Sequence, residues 1–139
     1  MKVRKSKTSK DEIKELDDLC REYIRKRAMA EVGGCERCLA PKYDVQKDNG
    51  DTFPAYKHLQ WAHFKSRNKH TVRWDIENAA GLCGGCHIYL DDNAHEKDEW
   101  FKQRLGDRYD LLLARVYQKG KVDREAIRLY LQEKLKEVE

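Results

Sequence analysis

Long apolar runs are missing from this 139-residue chain. No stretch of about 20 apolar residues occurs, which excludes a membrane-spanning helix. The basic start, Met1-Lys-Val-Arg-Lys-Ser-Lys7, has no apolar segment behind it. It does not read as a secretory signal, so a cytoplasmic location is expected. Proline is scarce too: Pro41 and Pro54 are the only two, both in a stretch that reads as loop. Internal repeats and low-complexity tracts are absent. A hydrophobic share of 40% supports a modest core, whereas 39% charged residues leave a very polar surface. The length fits one domain with extensions. The net charge of +4 is too small for a polycation, so the distribution of charge matters more. Acids are missing from Tyr56 to Trp74, where Lys57, Lys65, Arg67, Lys69 and Arg73 accompany His58, His63 and His70. Such local positive charge suits a phosphodiester partner, although a solvated basic loop has the same composition.

Four of the five cysteines form two pairs, Cys35-Glu-Arg-Cys38 and Cys83-Gly-Gly-Cys86. Thiols stay reduced in the cytoplasm, which favours a metal site over disulfides. Two such knuckles suit one tetrahedral zinc ion. A closed four-thiolate site leaves no open position, so it would stabilise the fold rather than catalyse. It would also tie the excursion between residues 38 and 83 into a compact unit. A redox dithiol and unrelated buried cysteines are the competing readings. Cys20 lies on an amphipathic helix and reads as an ordinary buried thiol.

Residues 1–8 read as a disordered basic lead. Thr8 or Ser9 caps a helix to about Ala30, with Ile13, Leu16, Leu19, Cys20, Tyr23 and Ile24 on one face. Arg21, Arg25, Lys26 and Arg27 near its end suit the helix dipole. Gly33-Gly34 stops it. Asp48-Asn-Gly-Asp51 marks a turn within a loop or short hairpin over residues 39–57. Leu59 to Phe64 reads as a strand and Thr71 to Trp74 as its return strand. A helix is expected from His87 through Leu90. Three further helices follow at about Lys97 to Leu105, Asp107 to Gln118 and from an Asp123 cap onward.

Leu59-Gln-Trp-Ala-His63-Phe-Lys-Ser-Arg67, Arg73-Trp-Asp-Ile-Glu-Asn78 and Leu82-Cys-Gly-Gly-Cys-His87 together resemble the HNH, or ββα-metal, endonucleases. The similarity is to the zinc-clipped phage type, which includes the NinG-like recombination nucleases, and it covers roughly residues 10–95. The resemblance implies an α+β fold: a small ββα-metal, treble-clef-like core with a four-cysteine zinc clip, an N-terminal helix and C-terminal helices. The nuclease domain would span 9–95, with a helical extension at 96–139 packed on the same domain.

The resemblance also implies a metal-dependent hydrolysis of DNA phosphodiester bonds. His63 would be the general base, because imidazole titrates near neutral pH. Asn78 would hydrogen-bond across the loop and orient the His63 region. His87 would ligate a catalytic divalent ion (Mg2+, Mn2+, Ni2+ or Zn2+), although it could instead join the zinc site. Many relatives carry Asp or His just before the base, whereas this chain has Ala62, which cannot ligate. Asp91, one helical turn after His87, is the expected second ligand; Asp92, His58, water or substrate phosphate could also complete the shell. Lys65, Arg67, Lys69 and Arg73 are expected at phosphates, with a structural stack on Trp74 as the other reading of Arg73. Trp61 and Trp74 read as core and His95 as surface. DNA is the expected partner, and the oligomeric state, monomer or homodimer, stays open. A DNA-binding module without catalysis, kept in play by Ala62, and a scaffold that uses its C-terminal helices are the alternatives.

Overall fold

A computed structural model describes residues 7–139. It is α+β, with five helices and two small antiparallel sheets among the described residues. The expected disorder of residues 1–6 lies outside the described residues, whereas Thr8 has a defined job. Its hydroxyl accepts from the Asp11 backbone N–H and the Asp11 side chain accepts from the Thr8 N–H, a complete capping box for α1, Ser9–Val32. Gly33 ends that helix in the left-handed region, at φ 71°, as a glycine can without strain.

The hairpin β1 (Val45–Gln46) and β2 (Thr52–Phe53) closes over the Asp48–Gly50 turn. Next comes β3, Gln60–His63, paired antiparallel with β4, Ala79–Leu82. The return strand is therefore not Thr71 to Trp74. His70–Val72 is a 3-10 turn, and a second 3-10 turn, Ile76–Asn78, delivers the chain to β4. The remaining helices are α2 (Gly84–Asp92), α3 (Ala94–Leu105), α4 (Arg108–Val116) and α5 (Arg124–Glu137). Asp123 caps α5 by accepting from the Ala126 N–H.

The β3–β4 ribbon is the middle layer, because side chains alternate across it. Its register pairs Gln60 with Leu82, Trp61 with Gly81, Ala62 with Ala80 and His63 with Ala79. One face, with Ala62, Ala80 and Leu82, joins Leu90, Phe101, Leu105 and Leu112 from α2, α3 and α4 in a first core. The other face, with Trp61 and Ala79, joins Leu16, Cys20, Ile24, Trp74, Leu131 and Leu135 in a second core with α1 and α5. Helices α3 to α5 thus pack into the same body as the ribbon. Cys20 is fully buried there, as expected of a packing thiol.

Glu36, between the two cysteines of the first knuckle, ties the layers together. Its carboxylate accepts from the Gly81 N–H at 2.5 Å and from Arg104 of α3 at 2.7 and 3.0 Å. Its backbone N–H donates back to the Gly81 carbonyl at 3.0 Å. The buried Arg27 of α1 lies 3.8 Å from the same carboxylate and donates to the carbonyls of Ile76 and Ala79. A buried carboxylate with this many donors has its desolvation cost offset.

Candidate functional site

The knuckles converge. The bridge between Gly34 and Pro41 and the bond from the Leu39 N–H to the Cys35 carbonyl (2.9 Å) curl the first pair. Leu39 sits at φ 61°, a left-handed turn that normally favours glycine. Cys83 is the N-cap of α2, its sulfur accepting from the Cys86 N–H at 3.5 Å. The Sγ atoms of Cys35, Cys38, Cys83 and Cys86 all lie within 4.8 Å of one another, with Cys38 and Cys83 at 3.9 Å. Four sulfurs about 2.3 Å from one ion would stand about 3.8 Å apart, so the cluster can hold a metal ion. Among the described residues it is the only group of three or more His, Cys, Asp or Glu ligand atoms so placed.

The electrostatics fit a bound cation. Burial pushes the Cys35 thiol up, but backbone N–H groups of Cys83, Cys38 and Arg37 pull it further down, to about 7. Burial and bonds from the other three thiols push Cys86 up to about 12, against the pull of Arg37. A metal ion would take the sulfurs as thiolates and release protons. Arg37 donates to Cys86 Sγ at 3.5 Å while its guanidinium lies 4.6 Å from the Tyr89 ring centroid. It would supply an outer positive charge to the sulfurs if a metal ion held them as thiolates.

His63 and His87 take opposite faces of the ribbon. His63 lies on the α1 face, half-buried, with its ring 4.2 Å from that of Trp61. Its Nε2 is 3.1 Å from the Arg73 carbonyl oxygen. A carbonyl can only accept, so Nε2 carries the proton and Nδ1 keeps the free lone pair. Burial lowers the His63 pKa to about 4, helped by the charges of Arg67 and Arg73 and opposed by the carbonyl bond. The ring is therefore neutral at physiological pH.

Asn78 is fully buried and clasps the loop between β3 and β4. Its Oδ1 accepts from the Lys65 N–H at 2.8 Å, and its Nδ2 donates to the carbonyls of Lys65 (3.0 Å) and Val72 (3.1 Å). Its own carbonyl accepts from the Phe64 N–H, next to His63, at 2.8 Å.

On the other face, His87 on α2 donates from Nδ1 to Gln60 Oε1 at 2.7 Å. That bond turns the ring so that Nε2 faces Asp91 Oδ2, 3.4 Å away and one turn on. The two atoms can share an ion. Asp91 also receives Lys97 at 2.8 Å, so an entering cation would compete with an ammonium. Asp92 is exposed, and His58 packs edge-on against Phe53. Gln60, which orients the His87 ring, carries no motif of its own; its place one face-repeat before Ala62 is the only signal in the sequence.

Compared with protein-family models, with curated proteins and with solved structures, the chain matches none. Its function therefore rests on the site. Of the four cations expected at phosphate, Arg67 and Lys69 are exposed and Lys65 is half-exposed. Arg73 is not presented to solvent: Asp17 of α1 holds it at 2.7 and 3.0 Å and also accepts from the Trp74 indole at 2.8 Å. That partner lies 56 residues away and has no signal in the sequence. Arg73 therefore acts through its carbonyl, which orients His63. No helix is long and apolar enough to cross a membrane among the described residues.

Proposed function

We propose that this chain is a metal-dependent endonuclease of the HNH type that hydrolyses DNA phosphodiester bonds. In this reading β3, β4 and α2 form the ββα-metal core, and the four cysteines hold a structural zinc ion. The observation that carries it is the state of His63: a neutral imidazole with Nε2 bound to a carbonyl and Nδ1 free, beside exposed cations. Such a nitrogen can take a proton from an attacking water. Asn78 keeps the loop that carries Lys65 and Arg67 folded against His63. Arg67 and Lys69 neutralise phosphate oxygens and hold the substrate strand. His87, oriented by Gln60, and Asp91 would bind a divalent ion, which supplies charge neutralisation at the phosphoryl and leaving oxygens. The remaining positions of that ion are left to water and phosphate, as hard cations tolerate.

Plasmid nicking is the test. Zinc-loaded protein is expected to nick with added Mg2+, Mn2+ or Ni2+, and His63→Ala to lose at least about 100-fold of that rate, the scale of general-base catalysis. Because His63 stays neutral down to about pH 4, kcat/KM should hold from pH 7 to about 5. An unperturbed histidine would lose rate around 6.5. Nicking by His63→Ala at the wild-type rate would overturn the assignment. Binding without nicking under every metal would favour the inactive DNA-binding module.

A further inference from the structure

Helix α1 runs to Val32 with no basic residue in its last turn, so Arg21, Arg25, Lys26 and Arg27 lie too far from its end to answer its dipole, contrary to the expectation. Arg21 and Arg25 lie one turn apart on one side of the helix, the side that meets the Trp61–Gly81 pair of the ribbon. The Arg21 guanidinium stands 5.8 Å from the Trp61 ring centroid, and that of Arg67, from the β3–β4 loop, stands 5.2 Å from the same ring. The His63 ring is 4.2 Å from it as well. Arg25 continues the row: its Cα is 3.6 Å from where a Gly81 side chain would begin, and its guanidinium lies 5.1 Å from the Tyr56 ring centroid.

This row is short of negative charge. Asp17 is taken by Arg73, and Glu22 by Lys26. Arg21 has Asp18, which also holds Lys14. Arg25 and Arg67 have no acid within 4.0 Å among the described residues. Arg25 Nε and Trp61 Nε1 of this row are buried without a partner among the described residues, so an anion outside can meet only the remaining guanidinium N–H groups. Arg25 and Arg67, packed on aromatic rings, are held without an acid and keep guanidinium edges for an anion, whereas Arg21 shares Asp18 with Lys14.

We propose that Arg21 and Arg25 of α1 extend the DNA-binding surface beyond the β3–β4 loop, so that the phosphodiester backbone runs from Arg67 and His63 along α1. This inference rests on DNA being the substrate. It adds a helix outside the ribbon to the substrate contacts and sets the direction in which the strand leaves His63.

Fluorescence anisotropy with a labelled duplex oligonucleotide, without added divalent ions, tests it over about 50 to 200 mM salt. The proteins are full-length zinc-loaded wild type, Arg21→Ala/Arg25→Ala, and a control of equal charge loss, Lys102→Ala/Lys136→Ala, on α3 and the end of α5. The arginine pair is expected to bind roughly 10-fold more weakly at the low-salt end. Its salt slope should fall by about 2, near 0.9 for each phosphate that is no longer neutralised. The lysine control should keep the slope. Arg21→Gln/Arg25→Gln, which retains the packing stems, covers the case that the alanine pair does not fold. Equal slopes and affinities in the arginine and lysine pairs would overturn the proposal. Nicking assays on the same proteins separate the two readings. An active wild type with no arginine effect removes the α1 track and leaves the nuclease, whereas an arginine effect without nicking does the reverse. No DNA binding by wild type at low salt would overturn both.

Discussion

Asn78 shows how much one side chain can organise. Both ends of its amide are used, bridging Lys65 and Val72 across the loop. Removing it leaves a backbone N–H and two carbonyls in a poorly hydrated place, and each unsatisfied group costs about 1–3 kcal/mol. Asn78→Ala is therefore expected to lower stability by about 3 kcal/mol in denaturant melts. A loss below about 1 kcal/mol would mean that water replaces the clasp readily. The sequence marks Asn78 and His63 as a pair, because both residue types and their spacing carry a resemblance. It does not reveal that Arg73 is held by Asp17, or that Glu36 is a buried tie between the knuckle, β4 and α3. Those partnerships depend on chain segments 45 to 68 residues apart.

Elements with their own local signals are readable. The capping box at Thr8, the left-handed glycine after α1, the Asp48–Gly50 turn and the Asp123 cap all act within a few residues, so sequence alone locates α1, α5 and the turn of the first hairpin, though not its strands. The return strand is not readable. Thr71-Val-Arg-Trp74 has the β-branched and aromatic composition of a strand, yet it forms a turn. Ala79-Ala-Gly-Leu82 has poor strand propensity, yet it pairs with β3, because tertiary packing overrides propensity here. Its small residues answer to α1: a Cβ on Gly81 would stand 2.7 Å from the Ala28 Cβ and 3.2 Å from the Ile24 carbonyl oxygen. Gly81→Ala should thus push α1 off the ribbon and cost roughly 2–3 kcal/mol, as overpacking does. Ala28→Gly removes the nearest atom at a helix cost of about 1 kcal/mol. In a double-mutant cycle the second change should recover part of the loss, with a coupling of at least about 1 kcal/mol. Strictly additive losses would show that the contact does not limit how close α1 lies.

At the scale of the molecule, a ribbon of two four-residue strands separates two cores. Neither core closes without the ribbon, and the cysteine cluster at one end of it brings residues 35–38 against the start of α2. Glu36 sits inside that cluster and reaches β4, α3 and, through Arg27, α1. Where the cluster holds a structural metal ion, as proposed, loss of that ion would release the knuckle, and with it the carboxylate that both cores share. Metal-site free energy in small domains is folding free energy, so the two cores should fail together. Tryptophans report on each: Trp61 and Trp74 belong to the α1 side, and Trp100 packs against the other. Stripping the metal with a chelator at neutral pH should lower the melting temperature by more than about 10 °C; for a chain of this size a few °C corresponds to about 1 kcal/mol. Fluorescence of Trp100→Phe, which reads the α1 side alone, should change at the same chelator concentration as far-ultraviolet circular dichroism. If α1 and α5 kept their signal after the metal left, the tie through Glu36 would be local to the knuckle and the cores would be separable units.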